Sequence, residues 1–184
     1  MRAKTVLTPY VFITEQPRRI NDDERETLSR LLEPEAVVQR QKFPAERPDP
    51  ALCYPVHVRF SDVDVYGHVN NVKYFEFFQE ARISGIAEMW EGLDQITLVV
   101  AQTDVDYRVP ILFRPEPYDA WSWVARVGQR SATIESVICD GETTLARARV
   151  TIVFFDRETR RSTAPPEVYL DRLRALHPAG SSSS

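Results

Sequence analysis

Between Asp62 and Tyr74 the chain sets two carboxylates, a glycine, a histidine and two asparagines directly ahead of a long apolar-rich segment. Asp62 and Asp64 precede Gly67, and His68, Asn70 and Asn71 lead into residues 71–90, which read as one helix. A helix start exposes unpaired backbone N–H groups and the positive end of the helix dipole. That end can polarise a carbonyl oxygen and stabilise the oxyanion that forms in acyl transfer. A carboxylate held beside it can attack the carbonyl or activate a water. The same layout also suits a capped helix with no chemistry, and the residue types leave both readings open.

Taken singly, Asp64 is a base or nucleophile, or a loop acid accepting backbone N–H bonds. Asp62 suits turning the loop or capping the approach to the helix. His68 can orient substrate or water, or hydrogen-bond within the turn. The side chains of Asn70 and Asn71 suit helix capping, while the backbone N–H of Asn71 can serve an oxyanion alongside a cap. Gly67 supplies a positive φ or lets a substrate approach closely. Tyr74 suits packing, and Glu80 an ion pair or hydrogen bond.

These residues need a scaffold, and the pattern around them predicts one. Tyr54 to Phe60 alternates as a strand. In the helix after it, Lys73, Glu76, Glu80, Ser84 and Glu88 form one polar stripe, and apolar residues such as Val72, Phe75 and Phe78 cover much of the rest. A helix so apolar around its circumference is expected to be buried on most sides. Four strand-like runs follow: 96–109, 118–127, 131–139 and 144–155. In the second, Trp121, Trp123, Ala125 and Val127 are expected on one face and Ser122 and Arg126 on the other. The third closes at Asp140-Gly141, a hairpin signal. The fourth places Ala146, Ala148, Val150, Ile152 and Phe154 together, its alanines leaving room for a close helix. An α+β fold follows, an antiparallel sheet wrapped around one helix.

Residues 1–50 read as an extension: an extended apolar stretch, a helix capped at Asn21 or Asp22 and running to about Leu32, then a proline-rich connection. The domain proper spans 51–160. Residues 161–184 hold a short helix begun by Pro165-Pro166 and a Ser-rich tail expected to be disordered.

Composition bounds the function. With 184 residues, 43% hydrophobic and 27% charged, the chain has the make-up of one globular domain. A net charge of −4 with no dense basic run argues against nucleic acid as a partner. No signal peptide and no stretch of roughly 20 apolar residues is found, so a cytoplasmic location without membrane insertion is expected. Cys53 and Cys139 are expected to be buried free thiols, and three scattered histidines do not suggest a metal site.

The run Asp62-Val63-Asp64-x-Tyr66-Gly67-His68-Val69-Asn70-Asn71-x-x-Tyr74 resembles the signature of the 4-hydroxybenzoyl-CoA thioesterase family, within the hotdog-fold superfamily. The stretch His68 to Tyr74 is also similar to one in plant acyl-ACP thioesterases. The resemblance extends more loosely over 54–156, through Tyr107-x-x-Pro110, the turn from Arg126 to Ser131 and Ala146-Arg147-Ala148. It implies a βαββββ hotdog fold paired into homodimers or dimers of dimers, with active sites at the dimer interface. It further implies hydrolysis of an acyl-CoA without a cofactor, Asp64 as the catalytic carboxylate and the N–H near Asn71 binding the thioester oxygen. His68 matches a residue assigned to catalysis in the plant branch. That branch has Asn where this chain has Tyr66, so its mechanism does not carry over. Tyr66 and Gly67 would then line the substrate, and Arg126, Arg130 and Ser131 could bind the CoA phosphates or pantetheine arm, a solvated basic turn being the alternative. An acyl-ACP thioesterase or a non-catalytic acyl-CoA-binding hotdog module are the competing functions. No Gly-x-Ser-x-Gly elbow supports a serine hydrolase.

Overall fold

A computed structural model describes residues 5–11, 13–14, 16–32, 43 and 47–177. The chain divides into two compact units, 1–43 and 44–184. In the first, β1 (Tyr10–Val11) pairs antiparallel with β2 (Gln16–Pro17), and α1 (Asp22–Ser29) follows. Asn21 caps α1 as its residue type predicts: its Oδ1 accepts from the Glu24 N–H at 2.8 Å, and the Asn21 N–H donates to Glu24 Oε2 at 2.9 Å. The helix ends at Ser29, short of the expected Leu32. The tail from 178 onward lies outside the described residues.

The second unit is built on a sheet of β3 (Leu52–Val56), β5 (Tyr118–Val127), β6 (Ser131–Asp140), β7 (Thr143–Asp156) and β4 (Leu98–Tyr107), in that spatial order and antiparallel throughout. A short β8 (Arg161–Ser162) pairs with the end of β7. The first strand begins two residues before the expected Tyr54 and ends at Val56, short of the expected Phe60, which instead opens a 3-10 turn through Asp62. Among the described residues β3 pairs only with β5, and Pro55, lacking an N–H, is tolerated on such an edge. The hairpin after Asp140 forms as expected, with Gly141 at φ +56°.

α2 (Asn71–Met89) lies against the inner face of this sheet, so the hotdog architecture expected from sequence is the one found. Phe77, Phe78 and Ala81 pack with Val56, Ala120, Ile138, Ala146 and Ala148. The small alanines of β5 and β7 let the aromatic rings of the helix come close. A second cluster joins Met89 and Trp90 to Val124, Ile134, Val150, Ile152 and Phe154, and α3 (Glu167–Ala175) closes it with Tyr169, Leu170 and Leu173.

Three expectations are corrected. In β5 the inward residues are Tyr118, Ala120, Ser122 and Val124, opposite Ile138, Ser136 and Ile134 of β6, so Trp121 and Trp123 lie on the other face. Large side chains there would hold the helix off; Ser122 is admitted because its hydroxyl bonds that of Ser136 at 2.8 Å. Trp121 instead lies under the Arg47 guanidinium at 3.9 Å, and Trp123 stands in register with Glu135, which pairs with Arg149. A register shift between Val124 and Arg126 then breaks the alternation. Cys53 is exposed because β3 is an edge strand, and Cys139 is half-buried at the hairpin end of β6; both are free thiols. Finally, α2 is less enclosed than its apolar circumference implies, with Val72 65% and Ile83 56% exposed.

Candidate active site

A hairpin-like loop between β3 and α2 carries the acidic residues. Val63 bridges Val69, the Asn70 N–H donates to the Asp62 carbonyl at 2.9 Å, and the Asp64 N–H donates to the His68 carbonyl at 2.8 Å. Gly67 sits at the tip with φ +78°, a conformation costly for any residue with a Cβ, which is the need its position suggested. His68 also bridges Leu112, and the Val69 N–H donates to the Ile111 carbonyl at 2.8 Å. The loop is therefore stitched to the segment after β4 as well as to itself.

The two aspartates have different surroundings. Asp62, 1% exposed, accepts the Arg59 N–H at 2.9 Å and the Arg59 guanidinium at 3.2 Å through both oxygens, with Lys73 of the first helical turn 3.7 Å away. Desolvation pushes its carboxyl upward, but the Arg59 hydrogen bonds and the charges of Arg59 and Lys73 outweigh this and hold it below the usual carboxylate range. Asp62 is fully engaged in holding the loop to the helix. Asp64 is exposed, and its Oδ1 accepts two backbone N–H bonds, from Tyr66 at 2.8 Å and His68 at 3.2 Å. Its second oxygen accepts none among the described residues.

At the helix start the Asn70 side chain accepts the Val72 N–H at 3.1 Å, and the Lys73 N–H donates to the Asn70 carbonyl. The N–H of Asn71 finds no acceptor among the described residues and is the open donor of this turn. Tyr107, which sequence singled out only as a point of resemblance, completes the neighbourhood. Its hydroxyl donates to the Asn71 carbonyl at 3.2 Å and its ring meets that of Tyr74 edge-on at 5.0 Å. The Tyr74 hydroxyl in turn accepts the Ile111 N–H at 3.0 Å. Burial raises the pKa of Tyr107, keeping its hydroxyl protonated as a donor. Glu80 accepts a hydrogen bond from the Tyr54 hydroxyl at 3.2 Å.

The remaining candidates fall in two places. Tyr66 and Gly67 lie exposed on the Asp64 loop. Arg126, Arg130 and Ser131 flank the β5–β6 turn at the other end of the sheet. Tyr118, whose hydroxyl bonds the Leu112 carbonyl, marks the Asp64 end of β5, and nine residues of strand, about 30 Å, separate it from Val127. One chain does not bring that turn to Asp64. Among the described residues no group of His, Cys, Asp or Glu could hold a metal ion. No described helix is long and apolar enough to cross a membrane.

An anchored carboxylate with one oxygen open, on the loop leading to a helix start with one N–H open, is an arrangement suited to acyl transfer. Comparison with known proteins gives the family of the chain. Residues 58–173 match the model of the thioesterase-like superfamily. Over 116 residues the chain is 30% identical to the long-chain acyl-CoA thioesterase FadM of Escherichia coli, covering 59% of this chain and 86% of that one. Its fold is similar to that of a thioesterase from Thermus thermophilus complexed with coenzyme A and Zn, with TM-score 0.59 and 29% identity, covering 67% of this chain and 92% of the other. A structure from Pseudomonas aeruginosa is similar with TM-score 0.60 and 30% identity over 70% of this chain and 92% of its own. With its hotdog sheet, central helix and matching sequence, this chain belongs to the thioesterase-like superfamily.

Proposed function

We propose that the protein hydrolyses acyl-CoA thioesters, with Asp64 as base or nucleophile and the N–H of Asn71 holding the thioester oxygen. The observation that carries this reading is the state of Asp64: two backbone N–H bonds fix Oδ1, so the carboxylate is oriented before substrate arrives and Oδ2 remains available. FadM and the coenzyme A complex from Thermus thermophilus support the class of substrate.

In the base route Oδ2 takes a proton from water, and the water oxygen attacks the thioester carbon. The oxyanion accepts the Asn71 N–H, and the tetrahedral adduct expels the CoA thiolate, which takes up a proton. In the nucleophile route Oδ2 attacks directly, giving a mixed anhydride that water then hydrolyses. Label entering Asp64 during a single turnover in isotopically labelled water identifies the nucleophile route, since water that attacks the aspartyl carbonyl of the anhydride leaves its oxygen there, whereas the base route places it in the product acid alone. His68, whose N–H braces Asp64, positions the carboxylate in either route.

The site is open in one chain, and a homodimer or dimer of dimers would complete it. Among the described residues β4 pairs only with β7, so one edge of it offers unpaired backbone groups. Antiparallel pairing of two such edges would set the Leu98 end of one chain beside the Tyr107 end of the other. The partner's Arg126, Arg130 and Ser131 would thereby approach the Asp64 end, where CoA phosphates need cations. The test is release of free thiol from an acyl-CoA series. Tight acyl-CoA binding with no thiol released would favour a binding module instead.

A further inference from the structure

Arg82 has no place in the chemistry above, yet it is the least expected side chain in α2. It is 9% exposed and makes no hydrogen bond or ion pair with any described residue. Burial alone acts on its guanidinium, lowering its pKa. The side chain is buried, but its guanidinium nitrogens still reach solvent, so the charge opens onto the space it lines with no counter-charge among the described residues. The only other charged residue lining the same space is Asp94, which forms no ion pair with it.

That space is a groove of about 580 Å³ between α2 and β4, walled by Ile83, Ile86, Trp90, Leu98 and Val100. It exists because α2 rests chiefly on β3 and β5, leaving the inner face of β4 sparsely covered. The indole N–H of Trp90, fully buried, also has no acceptor among the described residues. Of the two, only the Arg82 guanidinium is open to the groove, and it has no acceptor among the described residues.

The groove is in line with the reaction centre. The contacts of Tyr107 with Asn71 and Tyr74 tie the far end of β4 to the start of α2, so strand and helix run side by side from there to Trp90. Arg82 follows Asn71 by eleven residues, close to three full turns, which returns it to within about 20° of the same helix face and about 16 Å along the axis. A helical arginine also leans back toward the N-terminus, which shortens the gap.

We propose that Arg82 binds a carboxylate at the far end of the acyl chain, making the preferred substrate the CoA monothioester of a long-chain dicarboxylic acid. This rests on the thioesterase reading, with the thioester at Asn71. The groove walls suit methylenes, and a guanidinium accepts a carboxylate in two parallel hydrogen bonds. A plain fatty acyl chain would leave the cation unpaired.

The test compares lauroyl-CoA with dodecanedioyl-CoA, equal in length and different only at the end group, by thiol release. Wild-type protein should favour the dicarboxylic substrate in kcat/KM by about tenfold or more, and Arg82→Met should reverse the preference. Turnover of both by the wild type without that preference overturns the proposal and leaves the hydrolase reading intact, whether or not the variant folds. Binding of free dodecanedioate and laurate covers the opposite case. With no turnover at all, Arg82-dependent preference for dodecanedioate keeps the proposal and removes the hydrolase, while equal binding removes both. If Arg82→Met loses both substrates equally and falls to monomer in light scattering, the counter-charge belongs to a second copy of the chain and the proposal fails.

Discussion

The hydroxyl of Tyr107 donates to the backbone carbonyl of Asn71 at 3.2 Å, joining the last residue of β4 to the first residue of α2. That bond holds the edge strand at the helix start, where the open N–H lies. From there the same strand runs along the helix past Arg82. Site and groove are thus two ends of one interface between α2 and β4.

Asp64→Asn keeps the shape that accepts the Tyr66 and His68 N–H bonds but removes the basic oxygen. It is expected to lower kcat by about 10² or more with KM within a few fold, the pattern of a group acting in the transition state. Steady-state thiol release checks this. Unchanged turnover would take Asp64 out of the mechanism.

Asp62 makes stability depend on acid. Its folded pKa lies below the unfolded value because Arg59 and Lys73 outweigh desolvation. Its contribution is therefore full above the unfolded pKa of about 3.9 and is lost as pH falls through the folded one. Urea midpoints of wild type should fall below about pH 4, and Asp62→Asn should flatten that fall while costing about 2 kcal/mol near neutrality. Parallel pH curves for the two proteins would refute the assignment.

Asn70→Ala removes the oxygen that accepts the Val72 N–H at 3.1 Å. A lost N-cap costs about 1 kcal/mol, and the frayed first turn should also loosen the donor at Asn71. Thermal unfolding and kcat are expected to fall together, and Asn70→Asp, which restores an acceptor, should recover both. A stability loss with kcat untouched would separate the cap from the oxyanion site.

Dimerisation should hide exposed apolar residues of α2 that lie outside the groove. Val72 is 65% and Phe75 46% exposed in the single chain. Light scattering at micromolar concentration is expected to give twice the chain mass or four times it, and Phe75→Glu to shift the population toward monomer with loss of turnover. A monomeric wild type with full activity would contradict a shared site.

Features with local causes were legible along the chain. Asn70 and Asn71 marked the start of α2 because a capping side chain serves the nearest free N–H groups. Gly67 and Gly141 marked turns that need positive φ, and β7 showed its inner face because strand alternation is strict where no bulge intervenes. Other features depend on residues brought together from distant parts of the chain. Asp62 and Asp64 are the same residue two positions apart, and only the convergence of Arg59 and Lys73 makes the first a brace and leaves the second an open oxygen. The faces of β5 were settled by the helix, which admits Ala120 and Ser122 beneath it and turns Trp121 and Trp123 away. Arg82 looked like any helical arginine, since its isolation depends on where the sheet leaves α2 uncovered, and that is a property of the packed chain rather than of neighbouring residues.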